Sequence, residues 1–203
     1  MPRTFILHAA PILRFEPPVG PEWLHEVKHD GFRVQIHLAG GQGHHLRQEW
    51  RRPDAALSRH ATAVAALPFG SLIIDAELVA CDADGTPNFY ALMRGARDGC
   101  CAYCFDLLEL DGRSLVARPL EERRGLLRRV MRRARRDTLR VSETLEDPLE
   151  LMAACEKQRL EGIFSKRRDA PYVSGSRGGW IKVETAAWRE ANRERHKLFE
   201  GTS

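Results

Sequence analysis

Short strand-like segments run the whole length of this chain, with helical stretches between them in no regular order. That pattern limits the protein to a mixed architecture. Residues 24–27 read as a strand. In 33–38, Val34, Ile36 and Leu38 alternate with Arg33, Gln35 and His37, the period of a half-buried strand. Further strands are expected at 72–80, 103–108, 139–142, 162–166 and 180–184, with turns around Gly40–Gly43, Asp82–Gly85 and Asp111–Gly112. Helical spacing of apolar residues predicts helices at 53–67, 120–136, 148–159 and 186–199. Irregular interleaving of this kind points to an α+β fold with mostly antiparallel sheets flanked by helices. Neither GxGxxG nor GxxxxGK[ST] occurs, which argues against a dinucleotide fold and a P-loop.

With 203 residues, 43% of them hydrophobic and 30% charged, the chain is expected to form one folded domain. Within it, 1–20 reads as an N-terminal extension and 186–203 as a helical tail. No apolar run approaches the roughly 18–20 residues of a membrane span, and the N-terminus is a poor signal peptide. A cytoplasmic monomer with no membrane partner is expected. The net charge of +4 is compatible with a polyanionic partner. Only five of the 32 basic residues are lysines (28, 157, 166, 182 and 197); the other 27 are arginines. Arginine stays protonated, whereas lysine can act as a nucleophile, so the few lysines invite a chemical reading. The five cysteines include one CxxC, Cys101 and Cys104, without a second pair at zinc spacing, so reduced, partly buried thiols are expected. His25, His29, His44 and His45 read as surface or loop residues.

Five segments concentrate chemistry. In Glu26-Val27-Lys28-His29-Asp30-Gly31-Phe32-Arg33, a lysine ends a strand, an Asp-Gly turn follows, and an arginine opens the next strand. Taken alone, this is a hairpin holding Lys28 near Arg33. In Ile74-Asp75-Ala76-Glu77-Leu78, strand alternation puts both carboxylates on one face, where they need cations, metal or hydroxyls as partners unless that face is solvated. Phe105-Asp106 lies in a strand. Glu161-Gly162-Ile163-Phe164-Ser165-Lys166 sets an acid and a lysine at either end of an apolar strand, on opposite faces by strict alternation unless Gly162 bends the chain. In Trp180-Ile181-Lys182-Val183-Glu184, alternate residues share a face.

In this order and at these separations, the five segments resemble the nucleotidyltransferase motifs of ATP-dependent DNA ligases, in the flavour of the bacterial end-joining type. Those motifs run KxDGxR, D[GA]E, an FD pair, EGxxxK, and a strand with one or two alternating lysines. The resemblance implies a ligase-type fold with a nucleotide pocket between its sheets. It makes Lys28 the catalytic nucleophile that attacks the α-phosphate of ATP and carries AMP as a phosphoramidate. AMP then passes to a 5′-phosphate at a nick and the strand is sealed in DNA repair. The amine must be neutral, and with a pKa near about 10.4 fewer than about one lysine in a thousand is neutral at pH 7. Nearby Lys166, Lys182 or Arg33 would lower that value.

The resemblance further assigns ATP binding to Glu26 (through its backbone, reading adenine), Arg33 (ribose or a polar edge), Glu77 (ribose hydroxyls or metal), Phe105 (stacking on adenine), and Lys166 and Lys182 (phosphate charge). Glu77 and Glu161 would hold Mg²⁺ or Mn²⁺. Nicked or broken duplex DNA is the implied partner, with a separate DNA-binding or clamp protein as a second.

Three departures from the family pattern stand out. Glu184 occupies the place of a second lysine and either pairs with Lys182 or weakens the phosphate site. The family's arginine after the first motif has only Arg47 as a candidate. No OB-fold domain is expected after Lys182. A catalytically weakened nucleotide- or nucleic-acid-binding remnant therefore stays open as a second reading, and RNA ligases or capping guanylyltransferases as a third. The helix at 120–136 carries Arg123, Arg124, Arg128, Arg129, Arg132, Arg133, Arg135 and Arg136. These read as a solvated face, or as a DNA backbone contact through Arg128, Arg132 and Arg135.

Overall fold

A computed structural model describes residues 5–46, 55–82, 87–94, 99–134, 138–175 and 177–192. In chain order its elements are β1 (Ala10–Arg14), β2 (Trp23–Lys28), β3 (Phe32–Ala39), β4 (Gln42–Leu46), α1 (Ala55–Ala65), β5 (Ser71–Ala80), α2 (Phe89–Met93), β6 (Cys100–Leu110), β7 (Arg113–Ser114), α3 (Leu120–Met131), β8 (Leu139–Val141), β9 (Thr144–Leu145), α4 (Pro148–Lys157), β10 (Gly162–Arg167), β11 (Arg177–Glu184) and α5 (Ala186–Ala191). They build two sheets. The first has the order β1-β11-β10-β2-β9; the second runs β4-β3-β5-β6-β7, with β8 alongside β6. Pairing is antiparallel except between β1 and β11 and between β6 and β8.

The expected α+β class with mostly antiparallel sheets is what is found. Residues 10–14, read as part of an extension, instead form the edge strand β1. The helix expected to run from 186 to 199 is described only as α5.

Each sheet buries one face under helices. On the second sheet Val34, Ile36, Leu38, Ile74, Ala76 and Leu78 pack with Val64 of α1 and Leu127 and Val130 of α3. On the first, Ile163, Ile181 and Val183 pack with Leu151 and Cys155 of α4. Each such fully buried Leu, Ile or Val contributes about 1.5–3 kcal/mol. The helix starts are local. The Asp147 carboxylate accepts from the N–H groups of Leu149 and Glu150 ahead of Pro148 at α4, and Thr185 Oγ1 accepts from Trp188 N–H at α5.

The remaining faces of the two sheets look at each other. A small shared core of Ile73, Phe105, Leu108, Tyr172 and Trp180 joins them at one end. The Asp30-Gly31 turn is what sets this up. Taken alone the segment is a hairpin, but β2 and β3 do not pair with each other. The turn carries the chain from the first sheet to the second, so Lys28 and Arg33 lie on facing sheets.

Candidate active site

Residues paired directly across antiparallel strands share a face. On the first sheet the register gives three rows: Lys28–Gly162–Glu184, Glu26–Phe164–Lys182 and Leu24–Lys166–Trp180. On the second, Arg33–Glu77–Tyr103 form one row and Gln35–Asp75–Asp106 the next. These rows line the cleft between the sheets, and its two ends differ.

At one end lies Lys28, 17% exposed, with Nζ 2.6 Å from Glu161 Oε1. Glu161 precedes β10, so strand alternation does not govern its direction. Gly162 lets the chain pass there: a Cβ at that position would come 2.0 Å from the Val183 carbonyl oxygen. Gly31 allows a second close approach, since a Cβ there would meet the Leu78 carbonyl oxygen at 2.2 Å and Glu77 Cγ at 3.1 Å. The turn is thereby pressed onto β5 beside Glu77. Burial pushes the Glu77 carboxyl up to about 8, against the pull of Lys28 and Arg33. Burial also raises Glu161, against the same lysine. The departure at 184 resolves as a pair, with Lys182 Nζ 3.4 Å from Glu184 Oε1. His29 stacks on Tyr103, ring centroids 3.8 Å apart.

At the other end the wall is aromatic and its charges are satisfied. Lys166 Nζ lies 4.2 Å from the Phe105 ring centroid and 4.0 Å from that of Trp180. It is also ion-paired with Glu26, whose other oxygen accepts from Arg124 Nη1 at 2.8 Å. Burial would raise the Glu26 carboxyl, but Lys166 and Arg124 outweigh it and hold the group below the ordinary value. The Arg33 guanidinium sits 5.3 Å from Phe105 and 5.1 Å from Trp180, and binds both oxygens of Asp75 at 3.2 and 2.8 Å. Tyr172 donates its hydroxyl to the same carboxylate at 2.8 Å. Lys166 pairs with Leu24, four residues along β2 from Lys28, yet both ammonium groups approach the Phe164 ring, at 5.6 and 5.5 Å from its centroid.

The structure thus brings Lys28, Glu77 and Glu161 together at one end and Phe105 and Lys166 at the other; between them Arg33 shares a row with Glu77 but turns toward Asp75 and Phe105, and Glu26 shares a row with Lys182, the acid turning to Lys166 and the lysine to Glu184. Arg128 and Arg132 stand exposed on the outer side of α3, flanking a groove of about 540 Å³ that Tyr103 and Arg140 also line. Arg47 and Arg135 lie outside the described residues. Arg123 and Arg124 are corrected: both are buried rather than on a solvated or DNA-facing surface. The signal was present, since 123 and 124 fall at i+3 and i+4 from Leu120, on the stripe that α3 buries. His25 is also corrected; it is buried, with Nδ1 2.8 Å from Ser165 Oγ. Asp75 and Tyr172 entered the cleft without being assigned. All five cysteines are free.

Glu77 and Glu161 offer oxygen donors suited to a hard divalent ion that takes its remaining ligands from phosphates and water, the usual arrangement for Mg²⁺. Among the described residues no group of three or more His, Cys, Asp or Glu side chains forms a complete metal cage.

A strand-end lysine held by a carboxylate thus stands in a cleft between two sheets whose far end is aromatic and cation-rich. Residues 15–184 match the family described as ATP dependent DNA ligase domain, and the chain belongs to that family. The multifunctional non-homologous end joining protein LigD of Pseudomonas aeruginosa is 34% identical over 174 residues, covering 83% of this chain and 21% of that protein. A probable DNA ligase of Beutenbergia cavernae is 35% identical over 173 residues, covering 78% of this chain and 33% of that protein. The solved ligase domain of LigD from M. tuberculosis superposes with a TM-score of 0.72 at 27% identity, over 88% of this chain and 59% of that one. The chain spans between a fifth and a third of the length of these two curated relatives.

Proposed function

We propose that this chain is the adenylation domain of an ATP-dependent DNA ligase acting on nicked or broken duplex DNA in repair. Lys28 Nζ attacks the α-phosphorus of ATP. A P–N bond forms, the bond to the bridging oxygen breaks, and pyrophosphate leaves. The observation that carries the reading is the 2.6 Å contact between Lys28 and Glu161 at the open end of the cleft, opposite Glu77. Glu161, its carboxyl raised by burial, is the nearest acceptor for the proton that Lys28 must lose. Lys182 would meet phosphate charge once freed from Glu184, and the aromatic end with Arg33 would take the base and ribose. A bound Mg²⁺ or Mn²⁺, held by Glu77 and Glu161, would neutralise phosphate charge. Arg128 and Arg132 would contact the DNA backbone, and a separate DNA-binding protein would be a second partner.

The paired Lys182 and Glu184 favour one alternative, a weakened nucleotide-binding remnant. Incubation with α-labelled ATP and Mg²⁺ or Mn²⁺ separates the two. Label that survives denaturation and disappears in Lys28→Ala is expected. A folded wild type that takes no label with either metal between pH 6 and 9 supports the remnant.

A further inference from the structure

Arg124 is among the largest fully buried side chains of the protein, and none of the chemistry above uses it. It leaves α3 on the buried stripe and reaches the cleft from behind. Nη1 donates to Glu26 Oε2 at 2.8 Å and to the Phe105 carbonyl at 2.9 Å, and Nη2 donates to the Ser142 carbonyl. One planar fork thus ties β2 of the first sheet to β6 of the second, and both to the residue after β8. The other Glu26 oxygen holds Lys166, whose ammonium lies over Phe105 and Trp180. The neighbouring Arg123 does something else: it grips both oxygens of Asp106 at 2.8 Å, together with the carbonyls of Arg118 and Ala170.

We propose that Arg124 is a positioning residue of the nucleotide cleft, fixing the Glu26 carboxylate and the Phe105 backbone as one unit. The inference rests on the adenylation reading. The aromatic wall and Lys166 are then in place before a nucleotide arrives, which lowers the ordering cost of binding. Glu26 is two residues from Lys28 along β2, about 7 Å, so loosening it weakens nucleotide binding while leaving the transfer at Lys28 nearly intact. Lysine at 124 would keep a charge beside Glu26 but could not span both carbonyls.

The test is the initial rate of self-adenylylation against ATP concentration for wild type, Arg124→Lys and Arg124→Met, with thermal melts of each. Arg124→Lys is expected to fold, to raise KM for ATP about tenfold, the scale of one lost charge-assisted hydrogen bond, and to keep its saturating rate within about twofold. Arg124→Met is expected to raise KM further or to unfold. An unchanged KM in folded Arg124→Lys overturns the proposal, and so does a loss confined to the saturating rate. Failure of both variants to fold also overturns it, because Arg124 is then only part of the core. If wild type takes no label, the adenylation reading has failed by itself; ATP affinity by calorimetry then makes the same comparison, and equal affinities overturn the positioning role.

Discussion

The two ends of the cleft hold similar residues in opposite conditions. At the Lys28 end, charges are paired but partly open: Lys28 is 17% and Lys182 30% exposed, each set against a more buried carboxylate. At the Lys166 end, Lys166 and Glu26 are 2% and 3% exposed, and Arg123 and Asp106 are closed off entirely. An open pair can be exchanged for a substrate's phosphates at small cost. A buried pair cannot be broken without stranding a charge. The open end is therefore suited to chemistry and the closed end to shape.

The sharpest way to break this contrast is at the closed end. Arg123→Met leaves Asp106 buried without its partner and should cost about 3–5 kcal/mol in urea unfolding. Arg132→Ala, on the outer side of the same helix, should cost less than about 0.5 kcal/mol. Similar losses in the two variants would erase the distinction.

A smaller effect concerns the rim of the open end. Burial holds the His29 imidazole down at about 4, against an ordinary 6.5. The unfolded chain therefore binds more protons between those values. Stability contributed by neutral His29 is complete above about pH 6.5 and is lost as pH falls toward 4, by about 3 kcal/mol. Urea midpoints across that range should fall less in His29→Gln than in wild type. Some slope should persist, because His8, also lowered to about 4 by burial, remains. Superimposable profiles for the two proteins would remove His29 from the account.

The smallest change expected to improve function is Glu184→Gln. It releases Lys182, itself 30% exposed, from its pair with a buried carboxylate, worth about 1 kcal/mol, so KM for ATP should drop severalfold. Arg124→Lys at the closed end should move KM the other way. If Glu184→Gln weakens ATP binding instead, the open end is not set up for exchange.

Much of the second sheet was legible beforehand. Alternation at 33–38 and 74–78 is strong because one face meets a helix-covered core and the other meets the cleft. The first sheet was harder to read. β1 carries Pro11 and pairs along one edge, and β9 has only two residues, so neither leaves a periodic signal. The arginines of α3 show the same limit. Residue type favoured a solvated face, while position on the helix favoured the core, and position won because Asp106 and Glu26 were waiting there.

Order and spacing along the chain determined which groups are available: a lysine before an Asp-Gly turn, carboxylates at 77 and 161, an aromatic at 105, a lysine at 182. Tertiary structure alone decided which cation meets which carboxylate. A strand direction and a period of two say nothing about a partner more than a hundred residues away. The partner depends on the sheet each strand joins, and the crossover at Asp30-Gly31, unreadable as such from four residues, placed Lys28 and Arg33 on facing walls.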